Sequence, residues 1–217
     1  MTSTPKTSSP PADQTAPEYR IALTREDINQ LPIQAYEGPV RLVRSDAEAR
    51  LAADGLKQEP VLGFDTETRP SFRKGEFYLP SLVQLASRHE VVLFQLPPGR
   101  IFKALKRLLA NEQVLKTGVS LDYDIKQLRA LDDFEPAGFT PLEPLARAQR
   151  IKNQGLRGLT AALLGFRISK KAQCSNWSRA QLTPAQIQYA ATDAWVSLQL
   201  YQRLTAGPMP EPDPETT

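Results

Sequence analysis

Val61-Leu62-Gly63-Phe64-Asp65-Thr66-Glu67-Thr68 opens as an apolar segment and closes on two carboxylates. Val61 to Phe64 is apolar at every position, the pattern of a strand buried on both faces in the middle of a sheet. Side chains at i and i+2 leave a strand on the same side. Asp65 and Glu67 therefore face one way, ~6.5–7 Å apart along the strand axis. Two carboxylates side by side at the end of a buried strand repel each other and lose hydration. Something cationic has to offset them, either arginine or lysine partners or a divalent metal ion. This stretch alone leaves both open.

Working outward, strands alternate with helices. Thr24 with Asp27 opens a short helix that stops near Pro32, and Val40–Val43 reads as a strand. Ser45 and Glu48 form a capping box for a helix to about Asp54. Ser81–Ala86 and Val91–Gln95 read as strands around a turn that carries the sole histidine, His89. Arg100–Leu109 is an amphipathic helix and Val114–Val119 another strand. Helices follow at about Leu121–Leu131, Leu142–Arg150, Leu156–Leu164 and Pro184–Leu204. This is an α/β pattern, a mixed β-sheet flanked by helices.

Residues 1–20 are rich in Pro, Ser and Thr, and residues 206–217 are acidic and Pro-rich. Both read as disordered tails around one folded domain at 21–205. That domain holds 25 basic and 19 acidic groups, net +6, against +3 for the whole chain. The excess suits either a polyanionic partner or an ordinary solvated surface. No stretch approaches the ~20 apolar residues of a membrane span, and the N-terminus has no apolar signal segment. The expected location is cytoplasmic. The one cysteine, Cys174, has no partner for an internal disulfide and reads as structural. One His and one Cys cannot supply the four N or S ligands of a structural zinc site. A serine-hydrolase triad would have to use His89, in its turn.

Two further segments carry acids where apolar residues are expected. In Lys116-Thr117-Gly118-Val119-Ser120-Leu121-Asp122-Tyr123-Asp124-Ile125, a strand runs into a helix with Ser120 as N-cap. The helix stripe is Leu121, Ile125, Leu128 and Leu131. At about 100° per residue Asp124 falls on that inward side. Asp122 falls outside, beside Arg129 and Lys126, as a surface ion-pair partner. In Thr183-Pro184-Ala185-Gln186 through Asp193, Thr183, Pro184 and Gln186 make a strong helix start. Asp193 shares an apolar stripe with Tyr189, Val196 and Leu200 and would be costly there without a partner. Tyr189 lies one turn earlier, as core or with its hydroxyl in the same site.

Four carboxylates from three segments offer oxygen-only ligands, which suit hard divalent ions such as Mg²⁺ or Mn²⁺. Two ions ~3.5–4 Å apart can clamp the attacking and leaving oxygens of a phosphoryl displacement. Phe64-Asp65-Thr66-Glu67, Gly118-Val119 followed by Asp124, and Tyr189-Ala-Ala-Thr-Asp193 together resemble the DEDD 3′→5′ exonucleases of the tyrosine subgroup. Ribonuclease D and the exonuclease domain of the Werner-syndrome helicase are members. Arg69-Pro70-Ser71-Phe72-Arg73-Lys74-Gly75, Leu82-Val83-Gln84-Leu85 and Cys174-Ser175-Asn176-Trp177-Ser178 extend the likeness over roughly residues 37–205.

The resemblance implies a ribonuclease H-like fold and two Mg²⁺ or Mn²⁺ ions held by Asp65, Glu67, Asp124 and Asp193. It implies that Glu67 also meets the terminal 3′-hydroxyl and that Tyr189 positions the attacking water. The products would be nucleoside 5′-monophosphates. The implied partner is single-stranded or 3′-ended DNA or RNA, and no residue chooses between the two. Arg69, Arg73, Lys74, Lys170 and Lys171 flank the motifs as phosphate contacts or as solvated loop charges. Trp177 stacks on a base or, by preference, packs in the core. The competing expectation is a catalytically silent nucleic-acid-binding adaptor on the same fold.

Overall fold

The computed structural model describes residues 22–206, so both expected tails lie outside the described residues except for Ala206. In chain order the elements are α1 (Arg25–Gln30), β1 (Val40–Val43), α2 (Asp46–Leu56), β2 (Val61–Glu67), β3 (Leu82–Ala86), β4 (Val91–Gln95), α3 (Lys103–Leu109), β5 (Leu115–Gly118), α4 (Leu121–Leu131), β6 (Phe139–Pro141), α5 (Leu142–Ala148), α6 (Leu156–Leu164) and α7 (Pro184–Thr205). The six strands form one sheet in the order β1-β4-β3-β2-β5-β6. β2 lies inside it, antiparallel to β3 and parallel to β5. The β1/β4 and β5/β6 pairs are parallel and β3/β4 is antiparallel, so the sheet is mixed as expected. Among the described residues no helix is long and apolar enough to cross a membrane.

Local chemistry sets most boundaries. Thr24/Asp27, Ser45/Glu48 and Thr183/Gln186 each form a full capping box, with each side chain bonding the other's backbone N–H. Three readings need correction. The helix expected from Arg100 starts at Lys103, because Ile101 N–H donates to Asp132 Oδ2 at 2.9 Å and Phe102 stays outside helical geometry at ψ 132°. The three-residue strand β6 was not expected; it ends in proline and has no alternation to read. Ser120 does precede α4, but its backbone is left-handed (φ 60°) and its side chain caps nothing. Its N–H donates to Glu143 Oε1 at 2.6 Å instead.

The period of two along β2 divides the core. Leu62 and Phe64 pack with Ala49, Leu105, Leu121 and Leu128, from α2, α3 and α4. The other face is covered by α7, whose Ala190, Ala191, Ala194 and Leu198 meet Leu82, Ala86, Val91, Leu93 and Trp177. A fully buried lysine ties the first face down. Lys116 on β5 donates its Nζ to the carbonyls of Leu108, Asn111 and Val114, at 3.3, 2.7 and 2.7 Å, at the end of α3. Burial pulls its pKa down to about 8.

The contact that positions everything downstream is between α7 and Gly63. A Cβ on residue 63 would stand 2.0 Å from the Ala194 carbonyl oxygen and 2.8 Å from the Leu198 nitrogen. These are backbone atoms of a helix and cannot swing aside. The helix therefore lies directly on the strand, one residue pair below Asp65. We expect Gly63→Ala to cost about 3 kcal/mol, the upper part of the usual overpacking range. Calorimetry should show a Tm lower by roughly 6–12 °C. A melting curve within about 1 °C of wild type would contradict the close seating of α7.

Candidate active site

Gly63, Asp65 and Glu67 leave β2 on the side of α7, and Asp193 stands on α7 one residue before Ala194. One carboxylate oxygen from each of Asp65, Glu67 and Asp193 lies within 4.8 Å of the others. Glu67 is 8% exposed and Asp193 4%. Among the described residues no arginine or lysine forms an ion pair with any of these three or with Asp124. Asp193 Oδ1 is buried and has no hydrogen-bond partner. Tyr189 sits one turn before it and donates toward its carboxylate.

The electrostatics follow from this crowding. Burial, then the charges of Asp193 and Asp124, hold the Asp65 carboxyl well above the usual carboxylate range. Burial and then Asp65 push Glu67 up to about 10. Burial raises Asp193 to about 7, moderated by the Tyr189 hydroxyl and the charge of Lys170. Tyr189 is raised by burial and by the Asp193 and Glu67 charges. Two buried carboxyls and a half-buried one, an oxygen without a partner and no ion-paired protein cation among the described residues fit a hard divalent ion, which takes oxygen ligands only.

Asp124 is brought near this group but not into it. Thr66 leaves β2 on the opposite face from its two acidic neighbours and donates its hydroxyl to Asp124 Oδ1. The apolar stripe of α4 packs on that same face, which is why the inward reading of Asp124 holds while its carboxylate stands apart. Its charge still reaches Asp65 and Glu67. Burial lifts its pKa to about 6. Asp122 is exposed as expected, but the expected ion pair is not made, since Arg129 turns to Glu135 at 3.4 Å.

The acids open onto a cleft of about 600 Å³. Lys170 lines it; Lys171, Arg69, Arg73 and Lys74 do not, and all four are exposed. The last three lie on the loop after β2, where Arg69 stacks over Tyr78 at 4.7 Å and Phe72 is 80% exposed. Arg25, Ile28, Asn153, Arg157 and Gln173 also line the cleft. None of these was singled out from the sequence, because they lie outside the three acidic segments and carry no spacing signal. Trp177 is fully buried, with its Nε1 donating to the Gln173 carbonyl at 3.2 Å, so it packs rather than stacks on a base. Cys174 corrects the structural reading: it is exposed. His89 lies in its turn with 82% of its side chain exposed.

Residues 40–207 match the family model described as 3'-5' exonuclease. The chain belongs to this family of 3′–5′ exonucleases. The mouse bifunctional 3'-5' exonuclease/ATP-dependent helicase WRN is 34% identical over 157 residues, covering 69% of this chain and 11% of that protein. The ribonuclease D of Gluconacetobacter diazotrophicus is 32% identical over 167 residues, covering 75% of this chain and 42% of its own. The exonuclease-family chain thus spans less than half the length of these relatives. The crystal structure of the Aedes aegypti Nibbler EXO domain superposes with a TM-score of 0.68 at 24% identity, over 81% of this chain and 91% of that one. At that identity the likeness concerns the fold, which is ribonuclease H-like.

The raised carboxyls make a prediction with a definite sign. In metal-free protein each keeps its proton to a higher pH folded than unfolded. Stability therefore falls as pH climbs from about 4, where unfolded carboxyls ionise, through about 7, where Asp193 ionises in the fold. Thermal melts in chelator should drop from about pH 5 to about pH 8. Mn²⁺ at about 100 times its Kd should restore about 2.7 kcal/mol, with the larger gain at the higher pH. Asp193→Asn should flatten both trends. A pH-independent melt that Mn²⁺ does not move would show that the acids are not a cation site.

Proposed function

We propose that this exonuclease-family chain hydrolyses phosphodiester bonds at the 3′ ends of DNA or RNA strands, releasing nucleoside 5′-monophosphates. Two Mg²⁺ or Mn²⁺ ions would be held by Asp65, Glu67, Asp124 and Asp193. The observation that carries this reading is the convergence of Asp65, Glu67 and Asp193 around an unpartnered carboxylate oxygen with no protein cation between them. Oxygen-ligated divalent ions, when bound, lower the pKa of water and offset charge on the leaving oxygen.

The chain's own groups divide the remaining work. Tyr189 lines the cleft beside Asp193 and holds and orients the attacking water. Glu67, at the edge of the cleft, takes the terminal 3′-hydroxyl. Thr66 keeps Asp124 turned toward the end of β2. Lys170 faces the same cleft and offsets part of the approaching phosphate charge. Arg69, Arg73, Lys74 and Lys171, outside the cleft, meet phosphates of the strand further from its end.

The test is digestion of 5′-labelled DNA and RNA strands with Mg²⁺ or Mn²⁺, read as a ladder receding from the 3′ end. Asp65→Ala and Asp193→Ala should each lower the rate ~10³-fold or more, because several kcal/mol of charge stabilisation is lost. Tyr189→Phe should lose ~10²-fold with binding unchanged, the low end for a proton-handling group. Both DNA and RNA left intact in Mn²⁺ would sink the enzyme reading. Tight binding without turnover would move the chain to the adaptor reading.

A further inference from the structure

The family match begins at residue 40, yet one wall of the cleft comes from before it. Leu23, Arg25 and Ile28 line the cleft opposite the acids, and all three belong to the segment around α1. This segment is strapped to the domain by bonds far apart in sequence. Leu23 N–H donates to Asn153 Oδ1 at 2.8 Å and Asn153 Nδ2 donates back to the Leu23 carbonyl at 3.0 Å. Arg167 donates from its backbone to Pro32 O and from Nε to Leu31 O, both at 2.9 Å, and Gln34 N–H returns to Arg167 O at 3.0 Å. Tyr36 N–H ends the strap on Thr192 Oγ1 at 3.0 Å. The wall is thus tied at its start by Asn153 and after α1 by a single parallel bridge between Ile33 and Arg167.

The strap carries one guanidinium, that of Arg25, to the cleft and bonds a second, that of Arg157. Arg25 is exposed and forms no ion pair among the described residues. Arg157, in the first turn of α6, reaches across to Asn29 of α1 with Nη2 at 2.7 Å. Its Nε is buried and has no acceptor. Arg157 is half-buried on the wall of the cleft, keeps its charge there, and forms no ion pair among the described residues, which suits an anion bound in the cleft. The planar fork of arginine matches phosphate oxygens, and the cleft volume of about 600 Å³ falls within the range of ligand sites.

We infer that Arg25 and Arg157, brought together by the strap, grip a phosphodiester of the nucleic-acid strand adjoining the bond at the acidic cluster. Leu23, Ile28 and Leu156 supply apolar surface beside it for sugar or base. The inference rests on the nuclease reading for its substrate class and adds the residues that position that substrate.

The experiment compares Arg25→Gln, Arg157→Gln and the double variant in the full chain. Each single change should raise KM ~10-fold or more, the loss of a charge-assisted hydrogen bond, with kcat within about 2-fold of wild type. The slope of log affinity against log salt should shrink by ~0.7 per lost contact on a single strand. The Mn²⁺-induced rise in Tm should be unchanged. Arg25 is exposed and forms no ion pair among the described residues, so its change is the one less coupled to folding; Asn29→Ala tests the other route, removing the α1 bond while keeping the guanidinium, and should leave the salt slope intact. Unchanged KM and salt slope, or a fall in kcat alone, would overturn the assignment. If wild type turns nothing over, the nuclease reading fails separately. Fluorescence anisotropy of a labelled single strand then decides the grip: weaker binding by the Gln variants supports it and equal binding overturns it.

Discussion

α7 can lie against β2 only because residue 63 has no side chain. The approach is backbone to backbone, with the Ala194 carbonyl where a Cβ would stand. Small residues continue the fit along the helix at Ala190, Ala191 and Ala194, all fully buried. This seating has a cost two residues further along the strand. It delivers Asp193 to the pair already on β2 and takes much of the water from the three carboxyls, so burial leads the causes that raise each of them. Tight packing and electrostatic stress are thus the same feature: helix and strand are held together by apolar contact, and the acids are crowded as a consequence.

The two faces of β2 then assume different tasks. On the α7 side the strand carries its acids into a cleft. On the other, Leu62 and Phe64 sit in the larger core, and Thr66 is the polar end of that row, holding Asp124. The acids are therefore served from two layers of the fold, with the strand between them. A change in the packing of α4 would move Asp124 without moving Asp193, and a shift of α7 would do the reverse. The strap before β1 adds a third body to the site. Thr192 on α7 is buried, and this strap bonds its hydroxyl.

Much of this was legible beforehand. The capping boxes at Thr24, Ser45 and Thr183 are local patterns whose partners lie three residues apart, and all three form as read. Alternation along residues 61–67 and the stripe on α4 correctly assigned which acids face inward, since each depends only on the geometry of its own element. The same approach misread Ser120, where the acceptor that draws its N–H away is Glu143, on another helix. It misread Asp122 and Cys174 too, because ion pairing and exposure depend on neighbours that no spacing rule supplies.

Periodicity and capping in the chain by themselves determined an α/β mixed sheet and which acids turn inward, and the run of motifs gave a resemblance to an exonuclease family. They did so because strand and helix periods translate directly into faces, and a buried acid is conspicuous on an apolar face. Only the tertiary structure decided that three of the four carboxyls gather within 4.8 Å while Asp124 stands outside that group, that Lys170 alone of the flagged cations lines the cleft, and that Arg25 and Arg157 line it. Those facts arise from how separate elements pack, through contacts such as Gly63 on α7 and Asn153 on Leu23, whose partners are more than a hundred residues apart in the chain.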